Sequence, residues 1–78
     1  MSKIVIFEDQ ASGYEKTFPF RSKVSLLWVR TGAAVIEHDG AIVLVLEVGD
    51  RMVLDGHPPG TTVTGRATAD NTTLVVSE

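Results

Sequence analysis

The chain has no cysteine, so neither a disulfide framework nor a thiolate metal site is open to it. Its two histidines, His38 and His57, leave little for a zinc or iron site. Lys and Arg number 7 against 10 Asp and Glu, a net charge of −3, and the cations never cluster. A nucleic-acid binder needs a basic stripe that releases counterions, so no nucleic-acid partner is expected. The longest uncharged apolar run, AIVLVL, is far short of the ~20 residues of a membrane-spanning helix. The opening MSKIVIFEDQ carries one lysine and a short apolar run followed by acids, which is not the pattern of a signal peptide. These absences predict a cytoplasmic protein with no membrane partner, no metal and no cofactor. A Gly-rich phosphate loop, a nucleophile elbow and a His-Glu-x-x-His pair are also missing, and the balance leans away from an enzyme.

What is present is sheet. Residues 1–78 make one small domain, and a chain of that size buries only about 60% of the surface it exposes when unfolded. Small domains compensate with disulfides, metals or a partner chain, and here the partner chain is the option that remains. The stretch from Trp28 to Gly60, WVRTGAAVIEHDGAIVLVLEVGDRMVLDGHPPG, organises the rest. Its apolar runs are punctuated by Thr-Gly, His-Asp-Gly, Val-Gly-Asp and Asp-Gly-His-Pro-Pro-Gly, the pattern of an antiparallel meander.

In chain order the predicted strands are Lys3–Phe7, Thr17–Phe20, Val24–Arg30, Ala33–Glu37, Ala41–Glu47, Arg51–Leu54, Thr61–Thr68 and Thr73–Ser77. Glu8-Asp9 should end the first. Pro19 removes a ladder donor and marks an edge strand or bulge. Gly65 suggests a bulge in a Thr-rich, solvent-facing strand. Apolar residues nowhere keep helical spacing without Gly or Pro intervening, so no helix is expected. The fold class is all-β: a small barrel or sandwich of about eight short antiparallel strands.

Two strands break the alternation expected of a sheet with one wet face. In AIVLVLE, period two puts Ile42, Leu44 and Leu46 on one side and Val43 and Val45 on the other. In VSLLWVR, Leu26 and Trp28 oppose Leu27 and Val29. Apolar side chains on both faces predict a second subunit against the outer face, a two-fold homodimer. The competing arrangement has the chain's own terminal strands cover that face.

Over residues 24–76 the sequence resembles a cupin, the small metal-binding jelly roll. The residues that carry the resemblance are Trp28-Val29-Arg30-Thr31-Gly32, His38-Asp39-Gly40, Leu46-Glu47-Val48-Gly49-Asp50, Asp55-Gly56-His57-Pro58-Pro59-Gly60 and Ala69-Asp70-Asn71-Thr72-Thr73-Leu74-Val75-Val76. The resemblance implies a metal-free member. Where the family places a glutamate before the glycine matched to Gly32 this chain has Ser25, and where it places His-x-His the chain has Phe18-Pro19-Phe20. The family's later histidine falls at Gly60, three residues beyond His57.

Several side chains are candidate site residues. Phe18, Phe20 and Trp28 could line an aromatic ligand pocket, although core packing is the plainer role. His57 could touch a ligand at a barrel mouth or act as a base, or simply be a loop residue. His38 reads as a turn residue. Tyr14, an aromatic in the polar loop SGYEK, either packs back or meets a partner. Glu37, Asp39, Glu47, Asp50 and Asp55 fall at strand ends and turns, where solvated acids belong.

These features point first to a non-catalytic binding protein, a homodimer that acts on a protein partner as a regulatory or inhibitory accessory, including one carried by a phage. A second expectation is a small-molecule enzyme or sensor. Some very small cupin-like proteins are metal-free nucleoside phosphorylases, and phosphate would need Arg21, Arg30, Arg51 or Arg66. A third is a structural component of a virion or other assembly.

Overall fold

The computed structural model describes residues 3–78. Its organising turn is Asp39-Gly40. Both residues have positive φ, 51° and 80°. Strands joined by a two-residue loop require that geometry, and glycine adopts it without steric cost. The turn joins β4 (Ala33–His38) to β5 (Ala41–Glu47), with His38 opposite Ala41. Around this hairpin the flanking strands pair in order. β3 (Ser25–Thr31) pairs with β6 (Arg51–Leu54), β2 (Glu15–Pro19) with β7 (Thr62–Ala67), and β1 (Lys3–Gln10) with β8 (Thr72–Ser77). The chain is therefore one long hairpin, with four nested antiparallel pairs.

That hairpin is folded over into two layers. Extra pairings of β3 with β8 and β4 with β7 give a first sheet β1-β8-β3-β6 and a second sheet β2-β7-β4-β5. This strand order is that of an eight-stranded double-sheet jelly roll. There is no helix among the described residues, and the two sheets do not close into a barrel. The protein is a small sandwich. One open side is flanked by β1 and β2, the other by β5 and β6.

The core lies between the sheets. Leu27 and Val29 of β3, Leu74 and Val76 of β8, Ile36 of β4 and Leu46 of β5 are almost fully buried there. Burial of each such side chain contributes roughly 1.5–3 kcal/mol. β3 alternates as expected, with Leu27 and Val29 inward and Leu26 and Trp28 outward.

Four local expectations are corrected by long-range pairing. β1 does not end at Phe7 but runs to Gln10, because register shifts on both sides of Phe7 absorb the extra residues. Asp9, at φ 54°, is held by donating its N–H to Thr73 Oγ1 at 3.0 Å. Gly65 is no bulge, since it pairs regularly with Lys16 on one side and Ile36 on the other. β7 is solvent-facing on one side only: Val63, Gly65 and Ala67 are buried, whereas Thr62, Thr64 and Arg66 lie on the other face. Ile42 does not join Leu44 and Leu46. Ile36 pairs with Leu44 but Glu37 with Ile42, so β5 spends one extra residue there and Ile42 is left exposed.

The terminal strands cover neither outer face. β1 and β8 are members of the first sheet, in its plane. That sheet's outer face carries two cross-strand rows: Val5, Val75, Trp28 and Arg51, then Lys3, Ser77, Leu26 and Val53.

Candidate binding surfaces

Of the four residues considered for a ligand pocket, Phe18, Phe20 and His57 are neighbours and Trp28 lies apart. Phe18 and Phe20 are core residues, in edge-to-face contact at 6.1 Å. Trp28 lies on the far side of β3, on the outer face of the first sheet, with the Arg51 guanidinium 5.0 Å from its ring centroid. His57 sits 6.2 Å from the Phe20 ring at the edge of the core. It also meets His38, ring to ring, at 4.8 Å and 64°. That histidine pair brings the β4–β5 turn against the Asp55–Gly60 connector, and no local pattern in the sequence signals it. His38 Nε2 lies 3.8 Å from Asp39 Oδ2. Among the described residues no group of three or more His, Cys, Asp or Glu is placed to hold a metal ion.

Tyr14 packs back. Its ring meets Phe7 edge-on at 5.1 Å, and its backbone carbonyl accepts the Ala67 N–H at 2.8 Å, leaving the residue 37% exposed. The arginines diverge. Arg66 pairs with Glu37 at 2.7 Å on the outer face of the second sheet, and Arg51 covers Trp28 on the outer face of the first. Arg21 lies on the β1–β2 side. They form no common cradle for a phosphate.

Two surfaces stand out instead, one on each open side of the sandwich. Of the large apolar side chains left exposed among the described residues, most fall in one stretch: Ile42, Val43, Val45, Val48, Met52 and Val53. Val45 is 59% exposed and Val53 55%. The stretch spans β5, the following turn and β6, the edge strands of the two sheets. An edge strand offers unpaired backbone groups, and proteins usually blunt it with charge, proline or bulges. The β1–β2 side is blunted in this way, by two register shifts in β1 and by Lys16 and Pro19 in β2. β5 has one bulge near its turn and no charge or proline between Ala41 and Leu46.

The second surface is a half-open cleft of about 230 Å³ between β1 and β2. Ile4, Ile6, Phe18, Pro19 and Val76 form apolar walls, and Lys16, Arg21 and Glu78 supply the charges. Glu78 Oε2 accepts the backbone N–H of Arg21 at 2.9 Å. Its other oxygen, Oε1, is buried and has no hydrogen-bond partner.

Among the described residues no helix is long and apolar enough to cross a membrane. No protein-family model matches the chain, and no curated protein matches it.

Proposed function

We propose that this protein is a non-catalytic binding module, a homodimer that joins through its β5–β6 side and acts on a protein partner. The observation that carries this reading is the concentration of exposed Ile, Val and Met on two adjacent edge strands. Val45 stands on the outer face of the second sheet and Val53 on that of the first, so the exposed apolar side chains wrap around this side of the sandwich. A two-fold contact suits it, because antiparallel pairing of one edge with its own copy is self-complementary and closes the assembly. The reading keeps the cupin resemblance as a likeness of fold, with which an eight-stranded double-sheet order accords. Fold alone does not carry activity. Dispersal of the arginines and side-chain filling of the interior favour binding over nucleoside chemistry.

The test is light scattering after size exclusion at tens of micromolar, on the natural chain and on Val45→Lys. The natural chain is expected at twice its 8.4 kDa mass. Val45→Lys is expected at the single mass with an unchanged circular dichroism spectrum, because Val45 faces solvent within each subunit. A natural chain that runs at the single mass overturns the dimer. Failure of the tethered protein to retain a stoichiometric partner from host extract, across ionic strengths, overturns action on a protein partner.

A further inference from the structure

We propose that the cleft between β1 and β2 is a ligand site for a small organic acid: a monocarboxylate carried on an apolar ring or a short branched chain. The site lies on the opposite side of the sandwich from β5 and β6, so it does not rest on the dimer.

Size and walls fix the body of the ligand. A dry cavity of about 150 Å³ is enough to hold benzene. The cleft, at about 230 Å³, takes one substituted ring and is too small for a long acyl chain or most drug-sized ligands. Its walls are aliphatic and aromatic, so a bare inorganic oxyanion would leave them in contact with water.

Charge fixes the head group. Lys16 pairs with Gly65 and Phe18 with Val63, so the Lys16 side chain leaves β2 on the same face as the Phe18 ring, toward the cleft. Arg21 stands two residues beyond β2 and is anchored by its backbone N–H, which donates to Glu78 Oε2 at 2.9 Å. Glu78 is the one carboxylate among the described lining residues, and its other oxygen is shut from solvent. Both cations are exposed, and among the described residues neither forms an ion pair. The cleft thus presents two unpaired cations against one carboxylate, on a chain whose net charge is −3. An ammonium would meet both cations, and like charges at such range repel. A carboxylate gains from each, and its planar pair of oxygens matches the guanidinium fork. The cleft is half open and the cations stay wet, so the head group keeps part of its hydration and escapes the desolvation that a closed pocket would impose. An apolar body with one carboxylate therefore meets the volume, the walls and the charges together.

The test is a titration of ¹⁵N-labelled protein with 4-methylbenzoate at neutral pH and low salt, followed by amide shifts. Saturable shifts at Ile4, Ile6, Phe18 and Val76 are expected in the millimolar range, as suits a ligand of so few atoms. 4-Methylbenzamide keeps the ring and the shape without the charge, and it should bind about 5-fold more weakly, the gain that two exposed ion pairs provide. Lys16→Gln combined with Arg21→Gln should bring the acid down to the affinity of the amide and leave the amide unchanged, since both side chains face solvent. Raising salt to about 0.5 M should shrink the same difference. Equal affinity of the natural chain for acid and amide overturns the proposal. So does the absence of saturable shifts at the cleft, shifts confined to β5 and β6, or inorganic phosphate that moves the same amides at a lower concentration than the acid.

Discussion

Gly32 and Gly40 make a matched pair on which the packing logic of this fold can be tested. Both have φ of +80°. At Gly40 nothing lies within 4 Å of the position a Cβ would take. At Gly32 the same Cβ would come 2.8 Å from the backbone Cα of Thr72, with the Thr72 side chain closer still. Thr72 cannot yield. It is fully buried, its hydroxyl donates to the Ala69 carbonyl at 2.7 Å, and the same oxygen accepts the Ala33 N–H at 3.3 Å. The left-handed backbone costs an alanine roughly 1–2 kcal/mol at either position. At Gly32 the turn between β3 and β4 must also move away from β8, which strips partners from a buried hydroxyl at about 1–3 kcal/mol. Gly32→Ala should therefore lose about 2–5 kcal/mol, and Gly40→Ala only about 1–2 kcal/mol. A chain of 78 residues has about 4–12 kcal/mol in all, so the first variant stands near the edge of folding. Urea denaturation at fixed protein concentration, followed by the fluorescence of Trp28, the single tryptophan, separates the two. With a slope near 1 kcal/mol per molar, a gap of about 2 kcal/mol moves the midpoint by about 2 M. Midpoints that agree within about 0.3 M would refute the close approach of β8 as the reason for glycine at 32.

Two further outcomes follow from the packing between and across sheets. A Cβ on Gly65 would sit 2.5 Å from Leu74 Cδ2, with the Phe18 and Phe7 rings at 3.4 and 3.5 Å. Leu74 is fully buried, so its methyl has no open space to enter. Gly65→Ala should cost about 1–3 kcal/mol by overpacking, read as a melting temperature lower by about 5–20 °C; adding Leu74→Val should restore part of it. A Gly65→Ala chain that melts with the natural one sinks this account. The Arg66–Glu37 pair, 38% and 23% exposed in its side chains, should show a coupling of about 0.5–1 kcal/mol in a double-mutant cycle. Most of that coupling should disappear in about 1 M salt, and a coupling that survives salt would mark a desolvated pair instead.

Turn chemistry is local, and what depended on it was legible in the residues. Asp39-Gly40 announces a hairpin, and the strands beside it, Ala41–Glu47 and Arg51–Leu54, have the bounds their turns imply. Features decided by a distant partner were not legible. A glycine inside a strand marks either a bulge or a close approach, and only Leu74, across the core from Gly65, decides between them. Counting by twos along β5 misplaces Ile42 because a bulge leaves no mark in an unbroken apolar run. Phe18, Phe20 and Trp28 share size and hydrophobicity, yet the alternation of β3 sends Trp28 to the opposite side of its sheet from the core. His38 and His57 meet because the connector after β6 returns to the β4–β5 turn, a consequence of folding the long hairpin in two. The cleft draws on residues near both ends of the chain, from Ile4 to Glu78, so it exists only once β1 has paired with β8.

The position of the surfaces follows from the size of the domain. A sandwich of this length has a single core layer, and its inward side chains fill it. An empty space as large as the β1–β2 cleft, placed in that layer, would cost about 5 kcal/mol at ~24 cal/mol per Å³. Against a whole expected stability of about 4–12 kcal/mol, an interior cavity of that size would take up a large share of what holds this chain folded. The open sides are different. Where β1 faces β2, and where β5 faces β6, the sheets do not pair, and apolar surface there is not part of the closed core. A recess on such a side interrupts no packing that the fold requires. Polar groups at its rim, such as Lys16 and Arg21, keep their access to water. A jelly roll this small therefore has its sides, and not its interior, free to specialise, and the two sides have diverged: one recessed and blunted, the other edged with exposed apolar side chains.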